Sequence, residues 1–231
     1  MAGDLTRPET WPTALHGVDR LYLMAVPQAL AGFLDAARDA GVRHVVLLSS
    51  STLTLARPNP IAQSHAACEQ MVAHSGMAWT FLRPTAFMAN DLRRAPAIRA
   101  QGVVRAPYGL AAAAPIDERD IAAVALRALL AEGHAGQAYT LTGPESLTQV
   151  ERVRLPGEVL GRPLRLEEVP PAEARAHMVG AMPPPIVDSV LEMLAAQVGR
   201  TAEVPDTVER VAGRPPYAYA AWARLHAAAF A

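Results

Sequence analysis

Short apolar runs of strand length alternate with longer stretches of helical spacing along the first part of the chain. Residues 20–26, 42–49 and 78–82 are apolar on both faces, and the stretches between them repeat their apolar positions every three to four residues. Those stretches end at Gly41 and Gly76, as helices commonly do. Strands that are apolar on both faces and separated by helices are typical of a buried parallel sheet. The pattern therefore predicts an α/β fold.

The alternation continues with predicted helices at residues 92–100 and 117–130 and a short strand at 138–142. Near residue 145 the composition changes, because paired prolines then separate stretches of helical spacing. Two domains are predicted: a sheet domain in residues 1–145 and a small, mostly helical lobe in residues 146–231.

Helices of this lobe are predicted at residues 172–180, 186–198 and 217–230. Pro156 interrupts the helical pattern of residues 148–160, which is expected to kink or split because proline lacks a backbone N–H group. The lobe is expected at one end of the sheet, where the carboxyl ends of parallel strands build binding crevices.

Composition narrows the chemistry. All 21 basic residues are arginine, which excludes Schiff-base catalysis, a phosphate loop ending in lysine and the Tyr-x-x-x-Lys pair of ordinary short-chain reductases. The net charge of −1 and the scattered arginines predict no nucleic-acid partner. No apolar run is long enough to span a membrane, and neither a targeting segment nor zinc-ligand spacing is visible, so we expect no membrane partner, no metal and a cytoplasmic location.

An ordered set of short motifs carries a family resemblance. The motifs lie at residues 3–6, 17–19, 45–50, 79–84, 87–90, 117–122, 139–144 and 213–216. In this order they resemble the NmrA-like group of atypical short-chain dehydrogenases. The resemblance implies a doubly wound Rossmann sheet that binds NADP or NAD. Members of that group range from reductases of quinones and other small molecules to regulators that bind the dinucleotide without turnover.

The chain departs from this family at its beginning. It contains no Gly-x-x-Gly-x-x-Gly loop, and the resemblance starts at Gly3, which corresponds to the end of the family's third strand. Two β-α units, about 60 residues at about 30 per unit, are therefore expected to be absent. The predicted fold is a Rossmann-like parallel sheet that is N-terminally truncated. Either the start codon is assigned too late, or the chain functions as it stands.

If the chain functions as it stands, the strand at residues 20–26 becomes an open edge, which must be paired or covered. We expect a homo-oligomer through this edge, or residues 1–16 folded over it. We also expect no cofactor for the chain as given, and NADP or NAD only where an upstream segment or a partner completes the site. In that case the strand end at Val26 and Pro27 would contact the dinucleotide.

The resemblance places the family's Tyr and Lys at Ile61 and His65. His65 is therefore the candidate general acid or base, because the ordinary pKa of histidine suits proton transfer near neutrality. Ser49 and Ser50 are further catalytic candidates, since they follow a central strand at its carboxyl end. The alternatives are a surface or capping histidine and serines that only terminate a strand.

The candidate substrate-binding residues follow the next strand and a later turn. They are Arg83, Thr85, Phe87, Met88, Asn90 and Tyr108. For Arg83 the alternative is an ion pair with Asp117, Glu118 or Asp120, and for Tyr108 the alternative is packing.

Three functions remain open from the sequence. We expect a small apolar ligand and a non-redox acid-base enzyme, of the isomerase, cyclase or dehydratase type, because the phosphate loop and the Tyr-Lys pair are both missing. The first alternative is an NAD(P)H-dependent, quinone-reductase-like oxidoreductase whose cofactor segment is missing from this chain. The second alternative is a non-catalytic NmrA-like regulator.

Overall fold

The computed structural model describes residues 3–24, 26–55 and 58–231. Ala25, which belongs to the predicted strand 20–26, lies outside the described residues. The strands are β1 (Arg20–Met24), β2 (His44–Leu48), β3 (Ala78–Pro84), β4 (Val103–Ala106), β5 (Ala112–Ala113), β6 (Gln137–Leu141), β7 (Leu147–Thr148) and β8 (Arg165–Glu168). The α-helices are α1 (Trp11–Leu15), α2 (Pro27–Asp39), α3 (Pro60–Ala73), α4 (Ala95–Gln101), α5 (Glu118–Leu130), α6 (Gln149–Leu160), α7 (Pro171–Met178), α8 (Pro184–Ala196), α9 (Thr207–Ala212), α10 (Tyr219–Leu225) and α11 (Ala227–Phe230). Short 3-10 helices occupy Pro8–Thr10, Ser51–Thr54 and Met88–Arg94.

The chain forms two compact units. The sheet unit consists of Met1–Pro84 and Ile121–Leu141, and the C-terminal unit consists of Thr85–Asp120 and Thr142–Ala231. The second unit thus begins well before residue 145, where the sequence placed the domain boundary. The physical reason is that β4 pairs with β8, which ties this earlier segment to the C-terminal residues.

The sheet unit contains a four-stranded parallel sheet in the order β1-β2-β3-β6, which confirms the predicted Rossmann-like α/β class. Its core lies where Leu47 and Phe81 meet Phe33 of α2 and Val72 of α3. Gly41 and Gly76 follow α2 and α3 with φ of +95° and +82°, a backbone conformation that glycine adopts without strain. The helix ends that the sequence predicted at Gly41 and Gly76 therefore match the structure.

Strand β1 is an edge of this sheet among the described residues, where it pairs with β2 alone. Met24 of β1 is 62% exposed. The ring of Trp11 lies edge-on against Phe33 of α2 with centroids 5.6 Å apart, so this part of the N-terminal segment packs on α2. Pairing of the β1 edge with a second copy, or its covering by residues 1–16, stays a prediction.

The C-terminal unit combines helices with two small sheets that the sequence did not predict. Strands β4 and β8 pair in parallel, and β5 and β7 pair antiparallel. These strands are two to four residues long, too short for an alternating pattern to be recognised. The core of the unit gathers Met88, Ile98, Val153, Trp222 and Phe230.

Helix α6 runs through Pro156 without a break, so the expected split of this helix is wrong. Thr148 and Glu151 form a capping box that fixes its first turn. Pro156 has no N–H group to offer to the carbonyl of Arg152, four residues earlier. The hydroxyl of Tyr219 lies 3.2 Å from that carbonyl, but it has a single proton and shares it with the closer carboxylate of Asp91, at 2.7 Å.

A buried ionic cluster, made of Asp91, Arg94, Arg152 and Tyr219, lies inside the C-terminal unit. Arg152 binds the Asp91 carboxylate with two N–H groups at 2.9 and 2.6 Å, and the Tyr219 hydroxyl donates to it at 2.7 Å. Arg94 adds a longer contact of 3.3 Å. Burial alone would raise the pKa of Asp91, but the two guanidinium groups hold that pKa below its ordinary value.

Among the described residues, no helix is long and apolar enough to cross a membrane.

Replacement of Asp91 by asparagine is expected to lower the free energy of unfolding by about 3–5 kcal/mol, because two buried guanidinium groups lose their counter-charge. Asp206→Asn is the control, because Asp206 is exposed and its ion pair with Arg210 is long, at 3.9 Å. The effect of this substitution on the free energy of unfolding is expected to stay within about 0.5 kcal/mol. Urea denaturation measures both.

Because the pKa of Asp91 is lowered on folding, the wild type should lose this stability as the pH falls below about 4, and Asp91→Asn should show a weaker pH dependence. Equal stability of the two variants would contradict the assignment.

Candidate functional site

The carboxyl ends of the parallel strands define the candidate site of the sheet unit. Ser49 directly follows β2, and β1 leads through Val26 into α2, which starts at Pro27. No side chain caps the N-terminus of this 13-residue helix, but its first residue, Pro27, has no N–H group, and the N–H of Ala29 donates to the carbonyl of Val26 at 3.0 Å. In α/β sheets, this end of the strands is where nucleotide ligands bind.

The two candidate serines have different surroundings. The Ser50 hydroxyl accepts hydrogen bonds from the backbone N–H and the hydroxyl of Thr52, and it caps the short helix Ser51–Thr54. Ser49 is 4% exposed, and its hydroxyl has no hydrogen-bond partner among the described residues. A buried hydroxyl without a partner costs about 1–3 kcal/mol, which a polar ligand can recover. The geometry therefore favours Ser49 over Ser50 as a ligand contact.

His65 lies half-buried on α3, one turn before the buried carboxylate of Glu69. Burial lowers the pKa of His65, and the negative charge of Glu69 opposes that shift. The imidazole is thus largely neutral near pH 7, with one nitrogen able to donate and the other able to accept. Ile61, at the other family position, carries no polar group.

Arg83, at the end of β3, is bound by Glu69 of α3. Its Nε and Nη2 atoms donate to the two carboxylate oxygens at 2.9 and 2.6 Å. These hydrogen bonds raise the pKa of Arg83. The expected pairing with Asp117, Glu118 or Asp120 is therefore wrong. The sequence signal that was missed is a glutamate on the inner face of the helix that precedes the strand.

The acidic residues proposed for Arg83 have other partners within the C-terminal unit. Asp117 binds Arg119, and Asp120 accepts from Arg214 at 2.7 Å and from the backbone N–H of Tyr217 at 2.8 Å. The guanidinium groups of Arg119 and Arg214 both lie over the ring of Tyr217, at 4.0 and 4.2 Å from its centroid. These contacts hold the segment before α10 in place.

One segment of the C-terminal unit carries four of the predicted substrate-binding residues. The hydroxyl of Thr85 donates to the carbonyl of Ala114 at 2.6 Å, and Phe87 forms a bridge with Ile116. Met88 is fully buried in the core, so its side chain has no exposed surface with which to contact a substrate. Asn90 is half-buried one residue before Asp91.

Tyr108 lies in the turn between β4 and β5, half-buried, with a φ of 57°. It is the non-glycine residue with a left-handed backbone in the described part of the chain. Such a conformation is costly for a bulky side chain and is common at functional sites. The predicted roles of Tyr108 and of the residues above stay predictions.

Comparison with known proteins identifies the family. A family described as NAD(P)H-binding matches residues 1–132. The chain belongs to this NAD(P)H-binding family.

Individual relatives extend the match over most of the chain. The (4-alkanoyl-5-oxo-2,5-dihydrofuran-3-yl)methyl phosphate reductase of Streptomyces griseus is 42% identical over 225 residues, which are 94% of this chain and 79% of that protein. The NAD(P)H azoreductase of Xenophilus azovorans is 41% identical over 99% of this chain and 82% of its own length. The solved NADPH-dependent quinone oxidoreductase of Escherichia coli is 25% identical with a TM-score of 0.79, covering 96% of this chain and 80% of that one.

Two expectations from the sequence are wrong in this light. The expectation of no cofactor fails because residues 1–132 match an NAD(P)H-binding family. The preference for a non-redox isomerase, cyclase or dehydratase fails because the relatives above 40% identity are reductases. The expected lack of a cofactor-binding segment finds no support in these comparisons, since the family match begins at residue 1.

The residues at the strand ends fit a nicotinamide dinucleotide. Such a ligand needs hydrogen-bonding groups at the carboxyl ends of parallel strands and benefits from free N–H groups at a helix start. Ser49 supplies a buried hydroxyl that has no partner among the described residues, whereas Pro27 at the start of α2 has no N–H group to donate. Ser49 is therefore the residue that would hydrogen-bond the cofactor in the sheet unit, and Val26 and Pro27 would only lie against it.

Replacement of Glu69 by glutamine is expected to lower the pKa of His65 further, because the carboxylate that raises it is gone while the burial that lowers it remains. The measurement is the NMR titration of the His65 ring protons. Glu158→Gln, at an exposed position of α6 in the C-terminal unit, is the control and should leave this titration unchanged. An unchanged His65 titration in Glu69→Gln would show that the two groups do not interact.

Proposed function

We propose that this protein is an NAD(P)H-dependent reductase of a small conjugated acceptor such as a quinone, an azo compound or an unsaturated lactone. The observation that carries the proposal is the identity above 40%, over more than nine-tenths of the chain, to two reductases. One of them is named for NAD(P)H and an azo compound, the other for an unsaturated lactone bearing a phosphate. Within the family, the ordered motifs favour the NmrA-like group.

Reduction of such an acceptor needs a hydride and a proton. Reduced nicotinamide supplies the hydride when it is bound. The proton and the polarisation of the acceptor must come from the chain, which has no lysine and no Tyr-x-x-x-Lys pair. We assign proton donation to the protonated form of the His65 imidazole, whose pKa is lowered by burial and raised again in part by the negative charge of Glu69. We assign hydrogen bonding to the Ser49 hydroxyl, which has no partner among the described residues.

The remaining expectations about its surroundings are proposals as well. We propose a small-molecule ligand, no nucleic-acid or membrane partner, a cytoplasmic location and a homo-oligomer formed through the β1 edge. The exposed Tyr22 and Met24 on that edge support the last of these, because an open apolar strand tends to pair.

The purified chain is expected to bind NADPH, measured by nicotinamide fluorescence, and to oxidise it when a benzoquinone or an azo dye is added, measured by the loss of NADPH absorbance. Binding without turnover on any acceptor would favour the regulator. Failure to bind either NADPH or NADH would overturn the reductase.

Replacement of His65 by glutamine is expected to lower kcat about 100-fold or more, because a positioned acid contributes at least that factor. The matched control is His74→Gln, since His74 is exposed at the end of the same helix and should be dispensable. Because the pKa of His65 is lowered, wild-type activity should rise as the pH falls toward that pKa, and His65→Gln should lose this dependence. Equal kcat in wild type and His65→Gln would exclude the assignment.

A further inference from the structure

The turn at Tyr108 is held in a strained conformation by a set of hydrogen bonds. The carbonyl of Tyr108, whose φ is 57°, accepts from the N–H of Ala111 at 2.9 Å. The N–H of Gly109 donates to Glu168 at 3.1 Å, and its carbonyl accepts from Val150 at 3.2 Å. A side chain at Gly109 would place its Cβ 3.0 Å from the Glu168 carboxylate, so the turn is also tightly packed.

Gln149 is the side chain that joins this turn to the rest of the C-terminal unit. It is 4% exposed at the start of α6. Its Nε2 atom donates to the carbonyl of Pro107 at 2.7 Å and to that of Tyr108 at 3.2 Å. Its Oε1 atom accepts from Nη2 of Arg94 at 2.8 Å. The Nε2 and Oε1 atoms of this one buried amide thus form hydrogen bonds to two different segments.

Arg94 carries the connection to the segment that bears Phe87 and Asn90. It ends the 3-10 helix Met88–Arg94 and contacts the Asp91 carboxylate of the same helix. Its Nη1 atom is buried with no hydrogen-bond partner among the described residues. Asp91 keeps Arg152 and Tyr219 as closer partners when Arg94 is replaced, so one guanidinium group still neutralises the buried carboxylate.

The two segments joined in this way each carry residues predicted to bind the acceptor. The junction contains two features that oppose stability: a tyrosine with a left-handed backbone and a buried guanidinium N–H without a partner. A group retained only for packing would be replaced at no loss by an apolar side chain of similar volume. Strain of this kind is a reason to look for a role in function rather than in stability.

We propose that Gln149 and Arg94 are positioning residues that fix the Tyr108 turn and the Phe87–Asn90 segment in one arrangement for binding the acceptor. The proposal rests on the proposed reductase function. Neither residue reacts with the acceptor. Gln149 acts by orienting two backbone carbonyls, and Arg94 acts by orienting the amide of Gln149.

Two substitutions test separately the hydrogen bonds that the Gln149 side chain donates and the one that it accepts. Gln149→Glu keeps an acceptor for Arg94 but removes the N–H groups that bind the carbonyls of Pro107 and Tyr108. Arg94→Met removes the donor to Gln149 together with the unpaired N–H. Arg93→Met is the matched control for the second, because Arg93 is the exposed neighbour on the same helix. Gln101→Glu, at the exposed end of α4, is the control for the first.

Steady-state kinetics with NADPH and a quinone are the first measurement. Both variants are expected to raise the KM for the quinone about tenfold while kcat and the dissociation constant for NADPH change less than about twofold. The melting temperature is expected to fall in both variants, because each leaves a buried hydrogen-bonding group without its partner. The rise in KM at nearly constant kcat is therefore the result that separates a positioning role from a merely structural one. Arg94→Lys, which keeps a donor, should restore part of the affinity. Both controls should behave as the wild type.

Hydrogen exchange followed by mass spectrometry is the second measurement and requires no turnover. Exchange of residues 107–111 should rise in both variants, and exchange of residues 88–94 should rise in Arg94→Met. If the KM for the quinone stays unchanged while the melting temperature falls, the residues are structural and the proposal is overturned. If the wild type reduces no acceptor, the reductase proposal fails, and unchanged exchange in both variants would then separately disprove the connection.

Discussion

The buried carboxylate of Asp91 is the group on which the C-terminal unit depends. It accepts from Arg152 on α6 and from Tyr219 on α10, which lie 61 and 128 residues further along the chain. A single buried ion pair adds little net stability, because the removal of two charges from water offsets their attraction. Here the hydroxyl of Tyr219 adds a third hydrogen bond to the two that the carboxylate accepts from Arg152, so the cluster fixes which elements meet and in what orientation.

The sequence predicted the sheet unit well because its signals are local. The strands at β1, β2 and β3 are apolar on both faces, and the helices between them end at glycines with a left-handed backbone. The same reasoning missed β4, β5, β7 and β8, since a strand of two to four residues carries no pattern and exists only because a distant segment pairs with it. The continuity of α6 through Pro156 is likewise not visible in any local pattern of the sequence.

The sequence named candidate site residues but not their bonding partners. A strand end singled out Ser49 and Ser50, the family resemblance singled out His65, and the roles of all three stay predictions. Only the structure shows that Ser50 is engaged as a helix cap while the Ser49 hydroxyl is buried and unpaired. For the same reason the partner of Arg83 was predicted wrongly. Its bidentate ion pair with Glu69 forms because a side chain of α3 and a side chain of β3 point toward each other, and sequence spacing does not predict that direction.

The absence of lysine and of a glycine-rich loop argued against hydride transfer more strongly than the chemistry warrants. A Tyr-Lys pair is one way to polarise and protonate an acceptor, whereas the hydride comes from the cofactor itself. An acceptor that is already electrophilic, such as a quinone or an azo compound, needs less polarisation than a ketone, so the proposed function does not require a Tyr-Lys pair. The lack of lysine therefore bears on which acceptors we propose, and not on the match of residues 1–132 to an NAD(P)H-binding family.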